Sequence, residues 1–313
     1  MKWRRFLWAR FRRLVFVLAA LTVLTFLMVH LAPGDPARLV AGLDADENTV
    51  RQTRISLGLD RPLIVQFGNY VGGLIQGDLG VSFSSRQPVT DEISQKIGPT
   101  LELALLGMAL ILFLGIPLGL LGAVMTRRGG GLFEVVFSGC TGAMAAIPQY
   151  LVATFLAFLF AVTWRLLPVA GTGSFSAAIL PTVAIAVRPA AVIARLVRVR
   201  TLEVLESQYV RTARSKRLPA WVLYSRHVFP NAITTMLAMG GVLFASLIGG
   251  AVIVEQVFAR PGLGTALVHS VLMGDYPVVQ GIVLLLGLLV VVVNALVDIL
   301  LGIVDPQTLE ASR

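Results

Sequence analysis

Six stretches of this chain are long and apolar enough to cross a bilayer: residues 14–31, 100–125, 132–163, 177–194, 232–254 and 278–304. A crossing helix needs about 20 predominantly apolar residues to span the hydrocarbon core. A single water-soluble core has too little interior to hide six such runs. The rest of the composition agrees, with 56% hydrophobic and only 14% charged residues. The expected fold class is therefore an all-α polytopic membrane protein of about six transmembrane helices, with both termini on one side. Runs 132–163 and 278–304 exceed one crossing, which predicts tilt or extension beyond the bilayer. No self-similar period supports an inverted repeat of the kind built into many secondary carriers.

The side follows from the basic residues. Lys2, Arg4, Arg5, Arg10, Arg12, Arg13, Arg127, Arg128, Arg313 and eight more between 195 and 229 fall on one side; Arg38, Arg51, Arg54, Arg61, Arg86, Lys96, Arg165 and Arg260 fall on the other. The richer side is predicted to be cytoplasmic, so both termini are expected there. The net charge of +9 comes from membrane-edge clusters and calls for no nucleic acid.

Residues 1–31 form a basic flank and an apolar run longer than the core of a usual secretory signal, with a weak cleavage pattern. They are expected to remain as the first transmembrane helix. Trp3 and Trp8 are placed as interfacial anchors. The lone Cys140 rules out a disulfide framework and a multi-cysteine metal site within the chain. Residues 32–98 form the one sizeable extracytoplasmic region, with six basic and eight acidic residues. It carries helix signals: Asp44 or Asp46 caps a segment through Leu57, and Pro62 opens 63–75. A small helical insertion after helix 1 is expected, either a solvated cap or a docking surface.

Motifs for catalysis are missing. His30, His227 and His269 form no HExxH pair on one helical face. None of Lys2, Lys96 and Lys216 follows a glycine, so there is no phosphate-cradling P-loop. No GxSxG nucleophile elbow is present. Neither a cofactor nor a metal is expected in this chain, and no nucleic acid as a partner. Five ionisable residues lie in or near the spans: Glu102, Glu134, Arg188, Glu255 and Asp298. Such groups are costly at membrane depth. Glu102 and Glu134 fall near interfaces, whereas Arg188 and Glu255 are candidates for a pathway-lining or interhelical role.

One segment between two spans is basic and helix-forming: Tyr209 to Pro230, YVRTARSKRLPAWVLYSRHVFP. Tyr209, Ala213 and Arg217 recur at helical spacing, and Arg211, Arg214 and Lys216 surround them with charge. Pro219 can start a second short helix through Phe229. The outcome is either a compact helical elbow or a basic loop held on anionic lipid.

This segment, with LEVLESQ before it, resembles the coupling loop of binding-protein-dependent ABC importer permeases of the peptide and nickel branch. Thr212 and Ala213 stand where that family has two small residues, and Phe229 and Pro230 match its hydrophobic-proline pair. Arg211 takes a position that is glutamate in the general pattern, and Arg217 replaces a glycine, so Pro219 is expected to relocate the break. The pieces APGDPA, LGLDRPLIVQFGNY, GDLGVSF, LPVAG, VEQVFARPGLGTAL and DYPVVQG are similar to the same family in the same order.

The resemblance implies a type I ABC importer permease fold in a bacterial inner membrane. It divides the chain into 1–31, the extracytoplasmic 32–98, a five-helix core at 99–305 with the coupling loop at 195–230, and a cytoplasmic tail at 306–313. The implied partners are a second permease, two cytoplasmic ATPases that hold ATP and magnesium, an extracytoplasmic binding protein, and membrane lipid. The ATPase-coupling residues are expected to be Tyr209, Arg211, Thr212, Ala213, Arg214, Arg217, Phe229 and Pro230. Short peptides are the expected solute, with nickel chelates and other small solutes as alternatives. An ATP-independent carrier or channel would account for the spans alone.

Overall fold

Lipid tails are as apolar as leucine, so helices within a membrane associate by close approach and by polar contacts. Both operate here. The computed structural model describes residues 2–31, 35–42, 44–129, 131–216, 219, 222 and 229–304. Its spine is α5 (Val89–Gly129) packed along α8 (Phe175–Glu206). Close approach is set by glycine. A Cβ on Gly119 would lie 2.5 Å from the Val197 Cβ and 2.6 Å from the Ala194 carbonyl oxygen, and one on Gly115 would lie 2.8 Å from Ile193 Cγ2. With glycine at both positions the backbones meet, and Ile193 and Val197 are buried between them.

Around the spine, α10 (Phe229–Val257) packs on α8, α5 and α12 (Tyr276–Val304), and α1 (Lys2–Leu31) packs on α12. Of the most apolar 18-residue window, 61% is buried in α8 but only 11% in α1. The difference puts α8 at the centre and α1 at the periphery. An ion pair pins α1 at its basic end, Arg10 Nη1 lying 2.7 Å from Asp298 Oδ2 on α12. Ile111, Ile185, Ile193, Leu247 and Val254 form the main apolar cluster of the centre.

The run at 132–163 is not one tilted helix. It is α6 (Gly131–Ala146) and α7 (Gln149–Leu156), the latter continuing as a π-helix over Ala157–Thr163, and the two parts meet at 91°. Pro148 supplies the break, since it donates no N–H and disfavours helical geometry at Ile147. Among the described residues there are five candidate spans, with the bent pair as a sixth. The run at 100–125 sits within the 41 residues of α5, about 60 Å at 1.5 Å per residue, so α5 begins well outside the bilayer.

Between α1 and α5 lie α2 (Pro36–Ala41), α3 (Glu47–Ser56) and α4 (Leu63–Ile75). Asp46 is the N-cap of α3, which ends at Ser56, and Pro62 precedes α4. The first of these helices has no counterpart in the expected elements: the Asp35 carboxylate accepts from the Ala37 amide at 3.0 Å and pairs with Arg54 at 2.5 Å, tying α2 to α3. Equally unexpected is α11 (Leu263–Met273), a short apolar helix after α10. The end of the bundle carrying α2–α4 and α11 is the insertion end, and the opposite one the loop end.

Candidate functional site

The apolar run predicted over 177–194 stops short of where the helix does. Residues 195–206, RLVRVRTLEVLE, carry α8 on past it to Glu206. There Ser207 leaves helical geometry with ψ 151°, and its hydroxyl and amide both donate to the Val204 carbonyl, at 2.6 and 3.1 Å. One residue later α9 (Gln208–Ser215) begins. Val210 and Ala213, three apart and so on one face, are buried with Leu205 of α8, and Val204 packs beside them. The other side of α9 is open: Tyr209, Arg211, Thr212, Ser215 and Lys216 are exposed. A short helix is thus strapped to the end of the central helix by a small apolar underside, leaving a polar, basic outer face.

This arrangement separates residues that helical spacing groups together. Tyr209 is 47% exposed but Ala213 only 7%, so the two do not share a contact face. Ala213 is part of the strap. Arg214 lies within α9, Phe229 and Pro230 open α10, and Arg217 lies outside the described residues, as does most of the helix expected from Pro219 to Phe229.

Arg188 lies midway along α8 and is exposed, although most of that helix is buried. Glu255 is the reverse, fully buried at the insertion end of α10. Its carboxylate accepts from the Thr100 hydroxyl of α5 at 2.6 Å and from the Gly264 and Thr265 amides in the first turn of α11 at 2.8 and 3.2 Å. One carboxylate therefore caps a helix N-terminus and ties it to the spine, satisfying donors that have no partner within the helix. Thr100 also accepts from the Leu263 amide at 2.8 Å. Arg260, buried in the intervening turn, reaches Glu102 of α5 at 2.8 Å.

A second clasp closes the same end. Asp275, buried between α11 and α12, accepts from the Ser82 hydroxyl at 2.5 Å and from the Phe83 and Ser84 amides at 3.1 Å each. The loop from 81 to 88, closed by a single bridge between Val81 and Pro88, is thereby held on the bundle.

Sequence reasoning does not single out Thr100, Arg198, Arg260 or Asp275. The two arginines enter only the count of basic residues. A signal is present in VEQVFARPGLGTAL, where a glutamate in an apolar span is followed by a glycine-rich turn and a new apolar helix. That order places unsatisfied amides within reach of the carboxylate.

Apolar spans with a bent sixth, a buried spine of two long helices and a short amphipathic helix set out from its end define a membrane permease of the type I ABC importer fold. The likeness to solved structures is to this fold: an inward-facing structure of the MetNI methionine ABC transporter matches with a TM-score of 0.58 at 20% identity, over 68% of this chain and 96% of that one. An amino acid ABC transporter matches with a TM-score of 0.51 at 17% identity, over 67% of this chain and 93% of that one. The chain belongs to the family of binding-protein-dependent transport system inner membrane components, whose model matches residues 115–310. The model of that family's N-terminal membrane component matches residues 3–104.

Among its relatives, a Brucella abortus (strain 2308) protein named provisionally as a peptide transport system permease is 40% identical over 301 residues, 93% of this chain and 94% of the relative. The glutathione transport system permease protein GsiC of Escherichia coli (strain K12) is 38% identical over 295 residues, 94% of this chain and 95% of the relative. The chain is a multi-pass inner-membrane permease subunit that works with an ATPase and a binding protein.

Proposed function

We propose that this chain forms half of the translocation pathway of an ATP-driven importer of short peptides. A second, similar permease completes the pathway. Two cytoplasmic ATPases, holding ATP and magnesium, supply the work, and an extracytoplasmic binding protein delivers the solute. The chain itself carries no catalytic residue. The loop end and both termini are cytoplasmic, and the insertion end faces the binding protein. Relatives named for peptide and glutathione transport along nearly their full length support the solute class.

The observation that carries the energy-coupling part is α9. Its outer face, Tyr209, Arg211, Thr212 and Lys216, is exposed and its underside is attached to the central helix. Arg214, Arg217, Phe229 and Pro230 complete the contact segment in this proposal, with Ala213 acting from below as the strap. Docked in a groove of an ATPase, such a helix passes that subunit's movement to α8. It shifts the equilibrium between inward- and outward-facing states only if its contacts differ between them. In this proposal Arg188 lines the pathway or a helix contact with the second permease; its charge and its exposure on a mostly buried helix support that reading, since lipid would not accommodate it cheaply.

Reconstituting the permeases, ATPases and binding protein into proteoliposomes tests the proposal with a radiolabelled dipeptide. Uptake should require ATP and vanish with a hydrolysis-deficient ATPase. Uptake that persists with the inactive ATPase would make the chain a carrier; ATP-dependent uptake of a different solute class in place of peptides would overturn the substrate assignment alone.

A further inference from the structure

About two turns before α8 ends, Arg198 leaves the spine sideways and joins three helices. Its side chain is buried on α8. Nε donates to the Thr126 hydroxyl of α5 at 3.1 Å, and Nη2 donates to Glu134 Oε1 of α6 at 2.6 Å. The guanidinium carbon lies 5.6 Å from the centroid of the Phe137 ring, also on α6. Thr126 is itself oriented, because its hydroxyl donates to the Gly122 carbonyl at 2.7 Å and so presents a lone pair to the arginine. A guanidinium has donors in a fixed planar fork, which lets one side chain hold two partners and stack on a ring at once.

This placement sits directly upstream of the coupling helix. From Arg198 to Glu206 the chain is one unbroken helix, and Ser207 alone separates it from α9, whose underside is packed back on Leu205. A displacement of α9 therefore moves the end of α8 with little slack. Near that end, α6 is the helix whose link to α8 is made by a charged pair: Glu134 is half-exposed at its start, and the 91° break separates the helix from α7. Along α5 the contact with α8 is a glycine-lined seam that specifies closeness, and among the described residues the Arg198–Thr126 bond is the side-chain hydrogen bond that crosses it.

We infer that Arg198 is the positioning residue that makes α5, α6 and α8 move as one body when the coupling helix α9 is displaced. It touches neither ATP nor solute. Its work is to convert a pull on α9 into a rearrangement of the pathway helices instead of a local bend of α8. The inference rests on the proposed ATP-driven function and adds to it the residue through which the stroke enters the bundle.

The test uses the full complex in proteoliposomes and measures peptide imported per ATP hydrolysed. Arg198→Met keeps an unbranched stem and removes the guanidinium with both arms; Arg198→Lys keeps the charge but loses the fork. As a guard against loss of folding, Thr126→Val with Glu134→Ala removes the two acceptors at the less buried side and leaves Arg198 in place. Assembly and binding-protein-stimulated hydrolysis should stay within about twofold of the parent. Import per ATP should fall on the order of tenfold in Arg198→Met and in the double variant, with Arg198→Lys in between. Unchanged import per ATP in the assembled double variant overturns the inference, as does a proportional fall of hydrolysis and import in all three. A parent complex that imports without hydrolysis defeats the proposed function instead, so the two failures are told apart.

Discussion

The two ends of the same central helices are built in opposite ways. At the insertion end, Glu255, Thr100 and Arg260 are buried, and the glutamate alone collects three hydrogen bonds from two elements. At the loop end, α9 is strapped by Val210 and Ala213 to Leu205, and its other face is bare. Charge-assisted hydrogen bonds closed within one chain, as the three on Glu255 are, hold its elements in fixed register. A helix with a small apolar underside and an exposed polar face is free to take its remaining contacts from another subunit. The comparison assigns the insertion end to scaffold and the loop end to handle, and mutation can break it at several points.

The largest effect is expected at Glu255. Glu255→Ala strands the Thr100 hydroxyl and two amides, while Arg260 keeps its pair with Glu102. Each buried donor left without an acceptor costs about 1–3 kcal/mol. The purified chain should lose most of its thermal stability in detergent, read by fluorescence-detected size exclusion after heating. Asp275→Asn weakens a charge-accepting clamp and should cost about 1.5–3 kcal/mol. Protease cleavage within the 81–88 loop should become several-fold faster while the bundle remains folded.

Ala213→Leu overfills the strap and should cost about 1–3 kcal/mol, confined to α9. The melting temperature should barely move, while amide exchange over 208–215 accelerates. Tyr209→Ala touches an exposed position and should change stability by less than about 0.5 kcal/mol. Nonetheless it should lower import at unchanged chain abundance; unchanged import would remove Tyr209 from the handle.

The same contrast separates what is legible in the sequence from what is not. Apolar length is a local property, so the spans can be read directly. So can α4, because Pro62 and the apolar run at 63–75 signal it together. The run at 132–163 misleads because apolarity says nothing about direction, and the break comes from a single proline at 148. The basic segment is legible as a handle, but not its orientation. Spacing joins Tyr209 to Ala213, while the face that packs is set by Val210, Ala213 and the position of Leu205 across the Ser207 turn. Least legible are the charges that meet across the fold. Glu134 and Glu102 look like boundary residues in the sequence, and their partners Arg198 and Arg260 lie 64 and 158 positions away. Only the packing of α6 against α8, and of α5 against α10, brings such pairs together.

Hydrogen–deuterium exchange on the assembled importer, ATP-free and then trapped with ATP and vanadate, compares both ends in a single measurement. Peptides covering 205–216 should gain or lose protection by more than about tenfold between the two states, while those covering 255–266 stay the same within error. Equal change at both ends, or change confined to the Glu255 network, would contradict the assignment of a fixed scaffold and a moving handle.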